Sequence, residues 1–100
     1  MDLRIARTAA ADLESIVDYI SQDDPSSAKR VFEEIRDAAG RLAEFPHIGR
    51  PGRVLATREL VVANYPYILV YSADARTVTV VAVLHAARDI AREMRKRSAR

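Results

Sequence analysis

None of the 100 residues is cysteine. No disulfide framework and no thiolate metal site can be built from such a chain, and an intracellular compartment is the natural expectation. Glycine and proline are also scarce, at three and four residues. Two of each fall in the single stretch Pro46 to Gly52, PHIGRPG, so nothing resembles an interdomain linker. Long apolar runs are missing: in MDLRIARTAAADL charges interrupt every short one, which predicts neither a secretory signal nor a membrane span. Internal repeats and low-complexity tracts are absent too. The formal net charge is only +2, low for a protein that coats phosphates, so a nucleic-acid-binding module ranks last among the readings of this chain.

What remains is 49% hydrophobic and 30% charged, the composition of an ordinary folded domain. Residues 1–100 have room for one core. The charge is unevenly spread. From Ala11 to Asp24 there are five acids (Asp12, Glu14, Asp18, Asp23, Asp24) and no base. From His85 to Arg100 there are six bases (Arg88, Arg92, Arg95, Lys96, Arg97, Arg100) against Asp89 and Glu93. Such a gradient steers an acidic partner toward one end, although charge runs also serve simply as solvated helix faces.

The pattern predicts an α+β fold. Leu3 to Ala6 reads as a short strand, followed by Thr8 as a helix N-cap. Leu13, Ile16, Val17 and Ile20 recur at helical spacing, with the acids on the other side. Asp24 and Pro25 start a second helix, whose stripe of Ala28, Val31, Phe32, Ile35, Ala39 and Leu42 runs until Phe45 and Pro46. The short connection implies an antiparallel helix hairpin. Beyond the PHIGRPG loop, strands are expected over Arg58 to Ala63, Tyr67 to Ala73 and Val78 to Leu84. The last two are apolar on both faces and so central, with the hairpin on one face of an antiparallel sheet and the other face partly exposed. Ala87, Ile90, Ala91 and Met94 predict a C-terminal amphipathic helix with arginine on its outer side.

In that order, IGRPGRV (Ile48 to Val54), TREL (Thr57 to Leu60), YPYILVY (Tyr65 to Tyr71) and VLHAARD (Val83 to Asp89) resemble the RelE/ParE superfamily of toxins from bacterial toxin–antitoxin pairs. The resemblance covers nearly the whole chain. It implies a small cytoplasmic toxin neutralised by a cognate antitoxin. Its target is DNA gyrase in the ParE-like branch, or translating mRNA on the ribosome in the RelE-like branch. No cofactor, metal or membrane is implied.

Cleaving RNA requires a base for the 2′-hydroxyl, cations for the phosphate and an acid for the leaving oxygen. RelE-like nucleases resemble one another in carrying a basic residue just before the LVY-like run, where this chain has Ile68; some have a tyrosine where Ala86 follows His85. Arg58 and His85 remain as the nuclease candidates, with Glu59 on the opposite face of its strand from Arg58. His85 and His47 are of the residue type suited to acid–base work, yet a histidine closing a strand also serves as a backbone hydrogen-bond partner. Arg50 and Arg53 either meet a partner or keep the loop soluble. Tyr65, Tyr67 and Tyr71 either pack in the sheet or stack on a partner. The reading favoured is a ParE-like gyrase inhibitor acting by protein binding, with Arg50, Arg53, Arg58, Tyr67, His85, Arg88 and Arg92 as target or antitoxin contacts. A ribosome-dependent endoribonuclease is the alternative, and a domain that has kept the fold but lost toxicity is a third.

Overall fold

Asp24 opens the longer helix of a hairpin by turning its carboxylate back onto the chain. In the computed structural model, which describes residues 1–98, Asp24 Oδ1 accepts from the backbone N–H groups of Ser26 and Ser27, both at 3.1 Å, and Pro25 occupies the first turn. These hydrogen bonds hold the Asp24 carboxyl below its ordinary pKa, the Ser27 hydroxyl contributing most. The elements run β1 (Asp2–Ile5), α1 (Arg7–Ser21), α2 (Pro25–Glu44), β2 (Arg50–Pro51), β3 (Arg58–Val61), β4 (Tyr67–Ala73), β5 (Thr77–His85) and α3 (Ile90–Ser98). Arg100, counted above in the basic terminus, lies outside the described residues.

The five strands form one sheet in the order β1-β5-β4-β3-β2, so β4 and β5 are interior, as their two-sided apolarity requires. The sheet is mixed and not wholly antiparallel: β1 pairs parallel to β5, and the helix hairpin carries the chain from β1 across the sheet to β2 at the opposite edge. The short strand β2, inside the glycine-rich loop, pairs with the start of β3. A bulge at Val70/Tyr71 sets Tyr71 opposite Val80 and leaves Val81 unpaired. It keeps Val78, Val80 and Val83 all on the hairpin side despite their spacing.

Each face has its own core. Ala9, Val31, Ile35, Ala38 and Leu42 of the hairpin pack on Val62, Leu69, Tyr71, Val78, Val80 and Val83. On the far face Ile90 and Met94 of α3 cover Ile68, Val70, Ala82 and Leu84. Burying each of these two α3 side chains contributes about 1.5–3 kcal/mol. The central part of the second face is therefore closed, where the pattern implied partial exposure.

Two sequence expectations fail at α1 for one reason. The N-cap is Ala6, without a side-chain cap, because the Ala6 N–H already bonds Val80 O across the sheet; Thr8 instead donates from Oγ1 to Val81 O at 2.7 Å. Asp12, expected on the solvent side, turns inward and accepts from Val83 N–H at 3.0 Å. These residues satisfy the β5 backbone where β1 has ended. The same Asp12 carboxylate receives Arg97 of α3 in a two-point pair at 2.7 and 2.8 Å, with side chains 15% and 23% exposed. The hydrogen bonds to Asp12 lead in raising the Arg97 pKa, with Glu93 adding to them. Phe32 also departs from expectation: it lies outside the core at 40% exposure, and Ala38 takes a buried place on α2.

Removing the carboxylate in Asp12→Ala orphans the Val83 amide and leaves the Arg97 guanidinium with Glu93 alone, and should cost about 2–3 kcal/mol. Urea denaturation checks this; a midpoint unchanged from the parent chain would show the pair to be incidental.

Candidate interaction site

Glu59 anchors the basic loop. It projects from β3 toward the α3 side of the sheet and is 2% exposed, yet it is fully partnered. Arg53 N–H donates to Oε2 at 2.9 Å, and the guanidinium groups of Arg50 and Arg53 approach Oε1 at 3.2 and 3.6 Å. A buried carboxylate needs such compensation, so Arg50 and Arg53 hold the loop in place and do more than keep it soluble. On the opposite face Tyr71, fully buried, donates its hydroxyl to Pro46 O at 2.9 Å and accepts from Gly49 N–H at 3.0 Å. Its cross-strand neighbour Arg58 donates to Gly49 O at 2.7 Å and reaches His47 O at 3.4 Å. Gly49 is required here: a Cβ would lie 2.7 Å from the Tyr71 hydroxyl and 2.8 Å from Glu59 O.

His85 and Tyr67 form a second group at the far end of β4. They are cross-strand partners whose rings meet edge to face at 5.5 Å. His85 Nδ1 accepts from Ala87 N–H at 3.0 Å, so the neutral ring carries its proton on Nε2. Burial, and then the Tyr19 phenol, push Tyr67 above its ordinary pKa of 10.0. Arg58 stands opposite Tyr71 and His85 opposite Tyr67, on the two flanks of β4. That puts them roughly 13 Å apart along the strands and about 10 Å across them. The structure does not bring the two nuclease candidates together. It sets His47 beside Arg58 instead, in a cleft of about 250 Å³ that Thr57 also lines.

The third group is on α3. Asp89 accepts from Arg92 N–H at 3.0 Å and starts the helix, so Ala87 lies before it. Arg88 pairs loosely with Glu93 at 3.5 Å, while the exposed Arg92 has no acidic partner among the described residues. Ile68 sits beneath this helix, 3% exposed.

An apolar groove of about 210 Å³ lies between the hairpin and the β1 edge, with Leu3, Ile5, Leu13, Phe32, Ile35 and Val80 in its walls. It adjoins a second hollow bordered by Val17, Glu14 and Asp18. Its rim mixes Arg36 with these acids, and the α3 arginines lie across the sheet from it. Sequence reasoning missed the partners of the Tyr71 hydroxyl and the Glu59 anchor. Glu59 left a trace, as the acid on the face of its strand opposite Arg58. Among the described residues no cluster of three or more His, Cys, Asp or Glu could hold a metal ion, and no helix is long and apolar enough to cross a membrane.

A helix hairpin and a C-terminal helix enclose the five-stranded mixed sheet, with a pinned basic loop at its edge, and this is the architecture of a solved ParDE structure. Residues 3–90 match the family described as the ParE toxin of the type II toxin–antitoxin system parDE. The chain is 45% identical over 84 residues to "Putative toxin Y4kP" of Sinorhizobium fredii, covering 84% of this chain and 86% of that protein. It is also 45% identical over 83 residues to "Toxin RelE2" of Caulobacter vibrioides, covering 80% and 89%. A solved structure titled "Chromosomal ParDE TA system from P. aeruginosa" superposes with a TM-score of 0.76 at 25% identity, covering 85% of this chain and 95% of that one. The chain belongs to the ParE toxin family. It is a toxin of a type II toxin–antitoxin system, and an antitoxin is its partner.

Tyr71→Phe removes the partner of Gly49 N–H and the donor to Pro46 O while keeping the ring. It should cost about 1–3 kcal/mol in chemical denaturation and speed amide exchange at Gly49. Unchanged exchange there would mean that Arg58 and Glu59 hold the loop without the Tyr71 hydroxyl.

Proposed function

We infer that this toxin arrests DNA gyrase in the cytoplasm by adhesion, breaking no covalent bond itself. The observation that carries the reading is Ile68, which is packed beneath Ile90 and Met94 where a nuclease would need a cation facing RNA. Two further features support it. Arg58 is committed to loop carbonyls, and His85 is distant from it along the sheet. What the surface offers is suited to a large partner: Arg50 and Arg53 at one sheet edge, and Arg88 and Arg92 at the start of α3. The apolar groove beside β1 is the proposed seat of an amphipathic antitoxin helix, and the unpaired outer edge of β1 is available for an added strand. Acidic residues elsewhere in the antitoxin would meet the α3 arginines on the other side of the sheet.

The ribonuclease reading has one specific observation in its favour: a relative of 45% identity bears the name RelE2. The two readings part cleanly in one pair of assays. Purified toxin should block gyrase supercoiling, with Arg58→Ala and His85→Ala changing the half-inhibitory concentration less than about tenfold, or 1.4 kcal/mol. Primer extension on translated mRNA should show no codon-associated cuts. Intact supercoiling together with cuts that vanish in either variant would establish the nuclease instead.

A further inference from the structure

The hairpin joining β2 to β3 presents a leucine to solvent on a backbone built to hold it there. Leu55 is 95% exposed, the highest value among the large apolar side chains. A single exposed leucine on a slack loop would call for no explanation. This loop is stiff. Thr57 N–H bonds Val54 O at 3.1 Å, the Thr57 hydroxyl donates to the same carbonyl at 2.7 Å, and Gly52 N–H closes the base on Thr57 O at 2.7 Å. Leu55 and Ala56 are the two central residues of the resulting turn. Ala56 has a φ of 67°, the left-handed region, which an alanine enters only under backbone strain. That strain persists because both sides of the turn are anchored: Val54 packs toward the α3-side core, and Arg53 is tied through its own N–H to buried Glu59.

The surroundings of the tip specify its partner. Between Arg50 and Glu59 the chain carries three arginines and one acid, a formal +2, equal to the net charge of the whole protein. Arg50 and Arg53 flank the hairpin on the face shared with Glu59, and Arg58 lies on the other face beside His47. A preorganised apolar anchor bracketed by cations fits a protein socket that is apolar at its floor and acidic at its rim. The antitoxin groove borders β1, at the opposite edge of the sheet, so the two apolar features can serve different partners.

The geometry points to Leu55 as the anchor by which the toxin docks on its cellular target, inserting into an acid-rimmed apolar pocket of a protein. This deepens the adhesion reading and rests on it, but it does not require that the target be gyrase. The test uses the full chain with Leu55→Asp and Leu55→Met. Because the side chain is almost fully exposed, neither change should alter the thermal midpoint or antitoxin binding. Leu55→Asp should abolish growth arrest on induction and weaken supercoiling inhibition at least tenfold, while Leu55→Met retains both. Growth arrest lost in Leu55→Asp with gyrase untouched by the parent toxin would keep the anchor and discard gyrase. The anchor is overturned if Leu55→Asp arrests growth as the parent does, or if its loss of arrest is matched by lost antitoxin binding. It is overturned equally if Leu55→Met fails alongside Leu55→Asp, or if sedimentation shows that the substitution only disrupts self-association.

Discussion

One carboxylate ties together three parts of the molecule that are far apart in sequence. Asp12 belongs to α1, takes the Val83 N–H of β5 and binds Arg97 of α3 at two points. The first bond satisfies a backbone group that β1 is too short to reach, and the second draws α3 down over the sheet. Ile90 and Met94 supply the apolar energy of that docking, while the Asp12–Arg97 pair selects its direction. Without this closure the far face would expose Ile68, Val70, Ala82 and Leu84 to water.

The closure determines what kind of work the protein can do. A sheet covered on both sides leaves its chemistry to edges, loops and helix exteriors. At one edge the hairpin and β1 frame an apolar groove. At the other, Glu59, Tyr71 and Arg58 hold the basic loop from both faces of the sheet. Both are features suited to protein recognition. The groups that acid–base cleavage would need are dispersed, with His85 at one end of β4 and Arg58 at the other.

Much of this architecture was legible in the residues. Asp24 followed by Pro25 announces the start of α2, the two-sided apolarity of β4 and β5 announces their central position, and the ordered motifs from Ile48 to Asp89 announce the toxin family. The failures share a cause. Local pattern assigns Thr8 to a cap and Asp12 and Arg97 to solvated faces, but each is claimed by a partner distant in the sequence. Local periodicity reports which face of an element is apolar. It does not say which polar side chain will be needed to satisfy a backbone group left bare by a strand that ends early. The site residues at Tyr67 and His85 were foreseeable as neighbours only once the register of β4 against β5 was known.

The central claim is that α3 keeps the far face of the sheet shut in the free toxin. Native-state amide exchange tests it most directly, by comparing α3 with β4 in the full chain. The account predicts that the hydrogen-bonded amides at the centre of α3 exchange only through the same global opening that releases Ile68 and Val70. Exchange of α3 through a local opening several kcal/mol cheaper than that of β4 would contradict it, because the face would then be transiently available to RNA.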